Sequence, residues 1–154
     1  MVFCIIKQGG ASPIKRFQLE TKTLVAFMHD FRVRCPQCEQ RADIVMNETL
    51  RLSCLACGLV RTYTGIGFRM GGGAFDPFFR LPLYLQTNCC GHVLWAYNRD
   101  HLAYMRAYVE ADIRTSDGEN SSIESRLPKW MKQKHNREDV LRAIKRLEII
   151  CEKG

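Results

Sequence analysis

CPQCEQRADIVMNETLRLSCLACG, residues 35–58, carries two Cys-x2-Cys pairs with fifteen residues between them. A gap of two residues lets a tight knuckle aim both sulfurs at one ion while backbone N–H groups of the turn donate to the thiolates. This spacing lies within the range of tetrahedral zinc sites. Gly58, directly after the second pair, supplies the backbone freedom that such a knuckle needs. Between the pairs, Ile44-Val45-Met46 and Leu50-Arg51-Leu52 flank the turn-like Asn47-Glu48 and predict a hairpin that brings the knuckles together. Cys35, Cys38, Cys54 and Cys57 are thus the candidate ligands of one structural zinc. Four thiolates close the coordination sphere and leave no position for water or substrate. The competing readings of the same pairs are redox dithiols, which belong at the start of a helix in a βαβ unit, and an iron–sulfur cluster.

Outward from this ribbon, taken as residues 32–64, the chain divides into an N-terminal strand-like segment, 1–31, a Gly-rich connector, 65–75, and a hairpin with C-terminal helices, 76–154. In the first segment VFCII and KRFQLE read as strand pieces, whereas TLVAFMHDF is apolar at nearly every position, so periodicity does not separate helix from strand. The connector, with Gly65, Gly67 and Gly71 to Gly73, reads as flexible. FFRLPLYLQT and HVLWAYN flank NCCG and predict a second hairpin, with Pro82 marking an edge strand or a strand that starts after it. Asn98 is a helix cap before Leu102, Met105, Val109 and Ile113, which predicts an amphipathic helix over 99–114. Ser121 and Glu124 have capping-box spacing, and Pro128 suits the first turn of a short helix. Asn136 caps the last helix, where Val140, Leu141, Ile144, Leu147 and Cys151 form one stripe. The expected class is α+β: a zinc ribbon plus a second β-hairpin, packed with two main helices and a short one.

A second cluster, Asn88-Cys89-Cys90-Gly91-His92, supports three readings. Cys89 and His92, with the x2 gap of a knuckle, are half of a second zinc site, to be completed from two of Cys4, His29, His101 and Cys151; or Cys90, near His92 or His101, is an activated thiol; or one or both cysteines are small buried hydrophobes at a tight turn. Trp95 and Tyr97 share one strand face, as core or as a stacking platform.

The 154 residues carry a net charge of +7, and 126–154 hold nine basic against four acidic side chains. Such an end favours a polyanionic partner. Arg126, Lys129, Trp130, Lys132, Lys134 and Arg137 are the candidate nucleic-acid contacts, with Arg32, Arg34, Arg41, Arg51 and Arg61 around the ribbon as further phosphate partners. No apolar run approaches the roughly 18 residues of a membrane span, and the first residues lack the pattern of a signal peptide. Paired cysteines kept for metal agree with a reducing compartment, so the expected location is the cytoplasm.

CPQC with CLACG, then LPLYLQTNCCGHVLWAYNRDHL, then SRLPKWMKQKHNREDVLRAIKRLE resembles a group of small, mostly uncharacterised bacterial zinc-ribbon proteins, over most of 32–148. The resemblance implies a ribbon and little about activity. No Walker-type GxxxxGK[ST] is present, so a helicase activity has no footing. Three functions follow: a non-enzymatic ribbon that binds nucleic acid, alone or within a larger assembly; a protein-interaction adaptor stabilised by structural zinc; and an enzyme built on Cys89, Cys90, His92 and His101.

Overall fold

The computed structural model describes residues 16–17, 23–111, 113–114 and 127–154, with side chains for 23–111 and 127–154. Cys4, Arg126 and the Ser121–Glu124 pair lie outside the described residues.

The fold is α+β. Strand β1 (Arg16–Phe17) pairs in parallel with a distant two-residue strand, Ile113–Arg114. Leu24–Phe27 forms a single 3-10 turn, and TLVAFMHDF then becomes strand at Asp30. Strands β2 (Asp30–Arg34), β3 (Arg41–Met46), β4 (Leu50–Ser53) and β5 (Val60–Thr62) form an antiparallel sheet in sequential order. Alternation decides its faces: Phe31, Val33, Ala42, Ile44 and Leu52 are wholly buried on one side. The edge of β2 away from β3 is covered, since Arg34 N–H donates to Pro82 O (2.8 Å), Arg32 N–H to Tyr97 O (2.9 Å) and Tyr84 N–H to Arg32 O (2.8 Å). At the other edge, no strand among the described residues pairs beyond β5, and all three of its residues are exposed.

The expected second hairpin is present but shorter, as β6 (Gln86–Cys89) and β7 (His92–Trp95). Its two-residue turn puts Cys90 at φ 52° and Gly91 at φ 76°, the left-handed pair that matches the twist of a tight hairpin. Pro82 lies before this strand, in an isolated bridge to Phe75.

Helix α1 spans Arg99–Glu110 rather than 99–114. Ala111 is extended (ψ 131°) and Ile113 joins the short parallel pair, while Arg137 bonds the Glu110 carbonyl at the helix end. Asn98 caps α1 as expected: its Oδ1 accepts from His101 N–H (2.9 Å). Helix α2 (Lys129–Lys132) starts directly after Pro128. Helix α3 (Arg137–Lys153) follows a 3-10 turn, Lys134–Asn136, and here the expected cap fails. Asn136 is itself helical (ψ −4°), so its amide donates instead to Trp130 O (2.9 Å) and Gln133 Oε1 (3.2 Å).

One buried cluster runs from Phe27 through the β2–β5 sheet, the second hairpin and α1 to Cys151 on α3. Arg106 fastens α1 to α3 through a two-pronged bond to Glu148 (2.6 and 2.7 Å). The Gly-rich connector is hydrogen-bonded at three points: Tyr63 Oη donates to Gly67 O (3.0 Å), Arg69 N–H to Pro77 O (2.9 Å) and Arg80 to Gly71 O (3.1 Å).

Candidate metal centre

The two Cys-x2-Cys segments fold as near copies of one another. In the first, Glu39 N–H donates to Cys35 O (2.9 Å) and Cys35 N–H to Gln40 O (2.8 Å); in the second, Gly58 N–H donates to Cys54 O (2.9 Å) and Cys54 N–H to Leu59 O (2.9 Å). Each turn closes through a residue with positive φ, Glu39 at 62° and Gly58 at 77°. The β3–β4 hairpin between them brings the knuckles face to face, as its sequence predicts.

All four Sγ atoms lie within 4.8 Å of one another, with Cys35–Cys57 and Cys38–Cys54 both at 3.6 Å. A tetrahedron with metal–sulfur bonds of about 2.3 Å has edges of about 3.8 Å, so the set is sized for one ion. A multi-iron cluster would hold its ligands farther apart, at its corners. All four thiols are free rather than joined as disulfides. Cys35 and Cys54 are buried and Cys38 and Cys57 half-buried, which shields the centre on the core side.

The surroundings act on the thiols in opposite directions. Burial alone would push the Cys35 thiol up, but N–H groups of Cys38 and Gln37 and the neighbouring thiols bring it down to about 7. For Cys38 the Gln40 N–H acts downward, yet burial and the thiols of Cys54, Cys57 and Cys35 drive it up to about 12. Four sulfurs so close cannot all ionise without a cation among them. The arrangement fits structural metal binding, and among the described residues no other group of three or more His, Cys, Asp or Glu side chains is gathered this way.

The other candidates are scattered. Cys89 is buried and Cys90 exposed, with sulfurs 3.6 Å apart. Burial, then the Cys90 thiol, push Cys89 up to about 11, the opposite of what an activated nucleophile needs. His92 turns away to stack on Trp130 (4.9 Å, 7° between planes), and Arg32 bonds both the carbonyl and the sulfur of Cys151. His29 pairs with Asp30 (2.8 Å), and His101 is buried with its Nδ1 accepting from Tyr97 N–H (3.2 Å).

Among the basic candidates, Lys129 and Lys134 are exposed, while Lys132 is half-buried. Trp130 is half-buried with His92 stacked on one face, and Arg137 is committed to the Glu110 carbonyl. Around the ribbon, Arg32 is taken by the end of α3 and Arg41 by Asp43 (3.1 Å), whereas Arg34, Arg51 and Arg61 are exposed. Tyr97 is buried against Phe31 (4.9 Å) and Trp95 is half-buried against Tyr97 (5.2 Å), so both serve the core.

Sequence reasoning overlooked Asp76. Its carboxylate, wholly buried, accepts from the N–H groups of Phe78 (2.9 Å), Phe79 (2.7 Å) and Leu81 (2.7 Å) and so organises the segment that covers the ribbon. Asp-Pro before an apolar run was the available signal, since Asp bonds backbone N–H groups a few residues on. Comparison with protein-family models, with curated proteins and with solved structures returns no match for this chain. No helix among the described residues is long and apolar enough to cross a membrane.

Proposed function

We propose that this chain is a zinc-ribbon interaction module, in which a structural zinc holds a surface that docks an acidic protein partner bearing apolar side chains. Zinc is the ion because four soft thiolates in a closed tetrahedron suit it and the site offers no open position for chemistry. The likeness to small bacterial zinc-ribbon proteins belongs to this reading, and seven described cysteines without disulfides suit the cytoplasm.

The observation that carries the proposal is the surface between Leu55 and Phe75. Leu55 is 97% exposed and Ile66 103%, with Val60, Phe68 and Met70 also outside. From Thr49 to Phe75 there are three arginines, Arg51, Arg61 and Arg69, and no Asp or Glu. Exposed Leu and Ile gain little from a phosphate backbone and much from an apolar partner surface. The arginines select an acidic one, and the edge of β5, unpaired with any strand among the described residues, adds backbone groups.

Photo-crosslinking residues placed at Leu55 and at Ile66 of the zinc-loaded protein test the proposal. Adducts with protein that survive nuclease treatment, and that disappear when the same label sits at the exposed Ala107, support it. Adducts lost to nuclease point to nucleic acid, the second reading, which the exposed Arg34, Arg51 and Arg61 and the basic C-terminal region favour. That reading requires affinity to fall steeply with salt. Metal analysis is expected to give one zinc per chain, lost in Cys54→Ser and retained in Cys89→Ser.

A further inference from the structure

His101 sits in the third position of α1 with 3% of its surface exposed. It stacks on Phe27 (5.2 Å) and meets Trp95 edge-on (5.8 Å). Its Nδ1 accepts from Tyr97 N–H (3.2 Å), so in the neutral ring the proton is on Nε2. Burial keeps the ring neutral by moving its pKa down to about 4. Nε2–H has no hydrogen-bond partner among the described residues, and it is not sealed inside the core.

The ring lines a cavity of about 150 Å³ where β7, α1, α2 and the Leu24 turn meet. Val93, Trp95, Met105, Pro128 and Trp130 supply much of the wall, and no charged side chain lines it among the described residues. An ordered water needs two to four polar partners, and among the described residues His101 is the single polar side chain on the wall apart from the Trp indoles. An unmade donor in a buried setting is unfavourable. An apolar cavity of about this volume takes up a molecule the size of benzene.

We propose that this cavity is a binding site for a small uncharged molecule, chiefly apolar, that presents one hydrogen-bond acceptor to Nε2–H of His101. Its apolar part fills the space between Trp95, Met105 and Trp130, and the acceptor sets its orientation. Because the ring is neutral by burial, recognition does not titrate between pH 6 and pH 8. The site is separate from the four cysteines and does not depend on the interaction proposed above.

Acetophenone and ethylbenzene, similar in shape but differing in the acceptor, are the probes, added to the zinc-loaded full chain. The readouts are the methyl resonances of Met105 and Met131 and the Nε2–H resonance of His101. Both probes are expected to shift the methyls, whereas acetophenone alone moves Nε2–H downfield. His101→Phe should tilt the affinity ratio toward ethylbenzene by roughly tenfold, the worth of one buried hydrogen bond. If neither probe shifts the methyls at saturation, or if Nε2–H fails to respond to acetophenone, the proposal is overturned. That second readout is taken on the unaltered protein, so it holds even if His101→Phe fails to fold.

Discussion

Glu39 and Gly58 stand at the same place in the two knuckles, both with positive φ (62° and 77°). Only glycine adopts that conformation without a steric penalty. Nothing lies within 4 Å of a Cβ added at Gly58, so Gly58→Ala isolates the backbone effect and is expected to destabilise the metal-loaded protein by about 1 kcal/mol in urea unfolding. Glu39→Gly should do the reverse, with a gain of about 0.5 kcal/mol after the extra chain entropy of glycine. A loss of stability in Glu39→Gly as well would show that Glu39 has a role beyond the turn. His101 gives a second residue-scale test. Its folded pKa, about 4, is below the ordinary 6.5, so the unfolded chain binds the extra proton first. The stability held by the neutral ring is complete above about pH 6.5 and drains away as pH falls toward 4, by about 3 kcal/mol in all. His101→Phe should flatten this part of a stability-against-pH curve, and an unchanged slope would contradict the assignment. The sequence marks Gly58 through its place after Cys57. It has no mark for Glu39, because a strained residue looks ordinary until the second knuckle shows the symmetry.

At the scale of elements, Asn98 shows how a cap read from sequence acquires a larger role from packing. Its Oδ1 caps α1, while its amide donates to Phe27 O (2.7 Å) and Asp30 O (2.9 Å), tying the helix start to the entry of β2. As simple caps, Asn and Asp are nearly equivalent. Here Asn98→Asp keeps the cap but removes both donors and sets a carboxylate beside Asp30, whose own pKa burial already raises. Asn98→Asp should therefore lose about 2 to 3 kcal/mol, comparable to Asn98→Ala, in chemical denaturation. A loss under about 0.5 kcal/mol would reduce Asn98 to an ordinary cap. The hairpins, α1 and α3 were legible because local periodicity and turn chemistry decide them. The end of α1 was not, since Ile113 fits the helical stripe and only its pairing with Arg16 draws it out. The Asn136 cap failed for a similar reason: the 3-10 turn before α3 already satisfies backbone groups, and the amide is drawn to Trp130.

At the scale of the whole molecule, the sequence suggests separate segments, whereas the ribbon and the C-terminal half share one core. Phe31 of β2 meets Tyr97 (4.9 Å) and Phe78 (5.8 Å), Val33 bridges to Leu83, and Arg32 holds the last turn of α3. These contacts join residues far apart in the chain, which no local pattern announces. A metal held by the four cysteines would therefore support both halves. In a modular chain, chelation would melt 32–64 and leave the helices and both tryptophans, Trp95 and Trp130, undisturbed. With a continuous core, withdrawing the ion frees the thiol knuckles, loosens β2 and β3, and removes the wall against which Tyr97 and α3 pack. Chelation is therefore expected to lower the far-UV helical signal and to change tryptophan fluorescence in one transition, and re-addition of the metal should restore both together. Tryptophan fluorescence that stays fixed while the metal leaves would show that the two halves are stable apart.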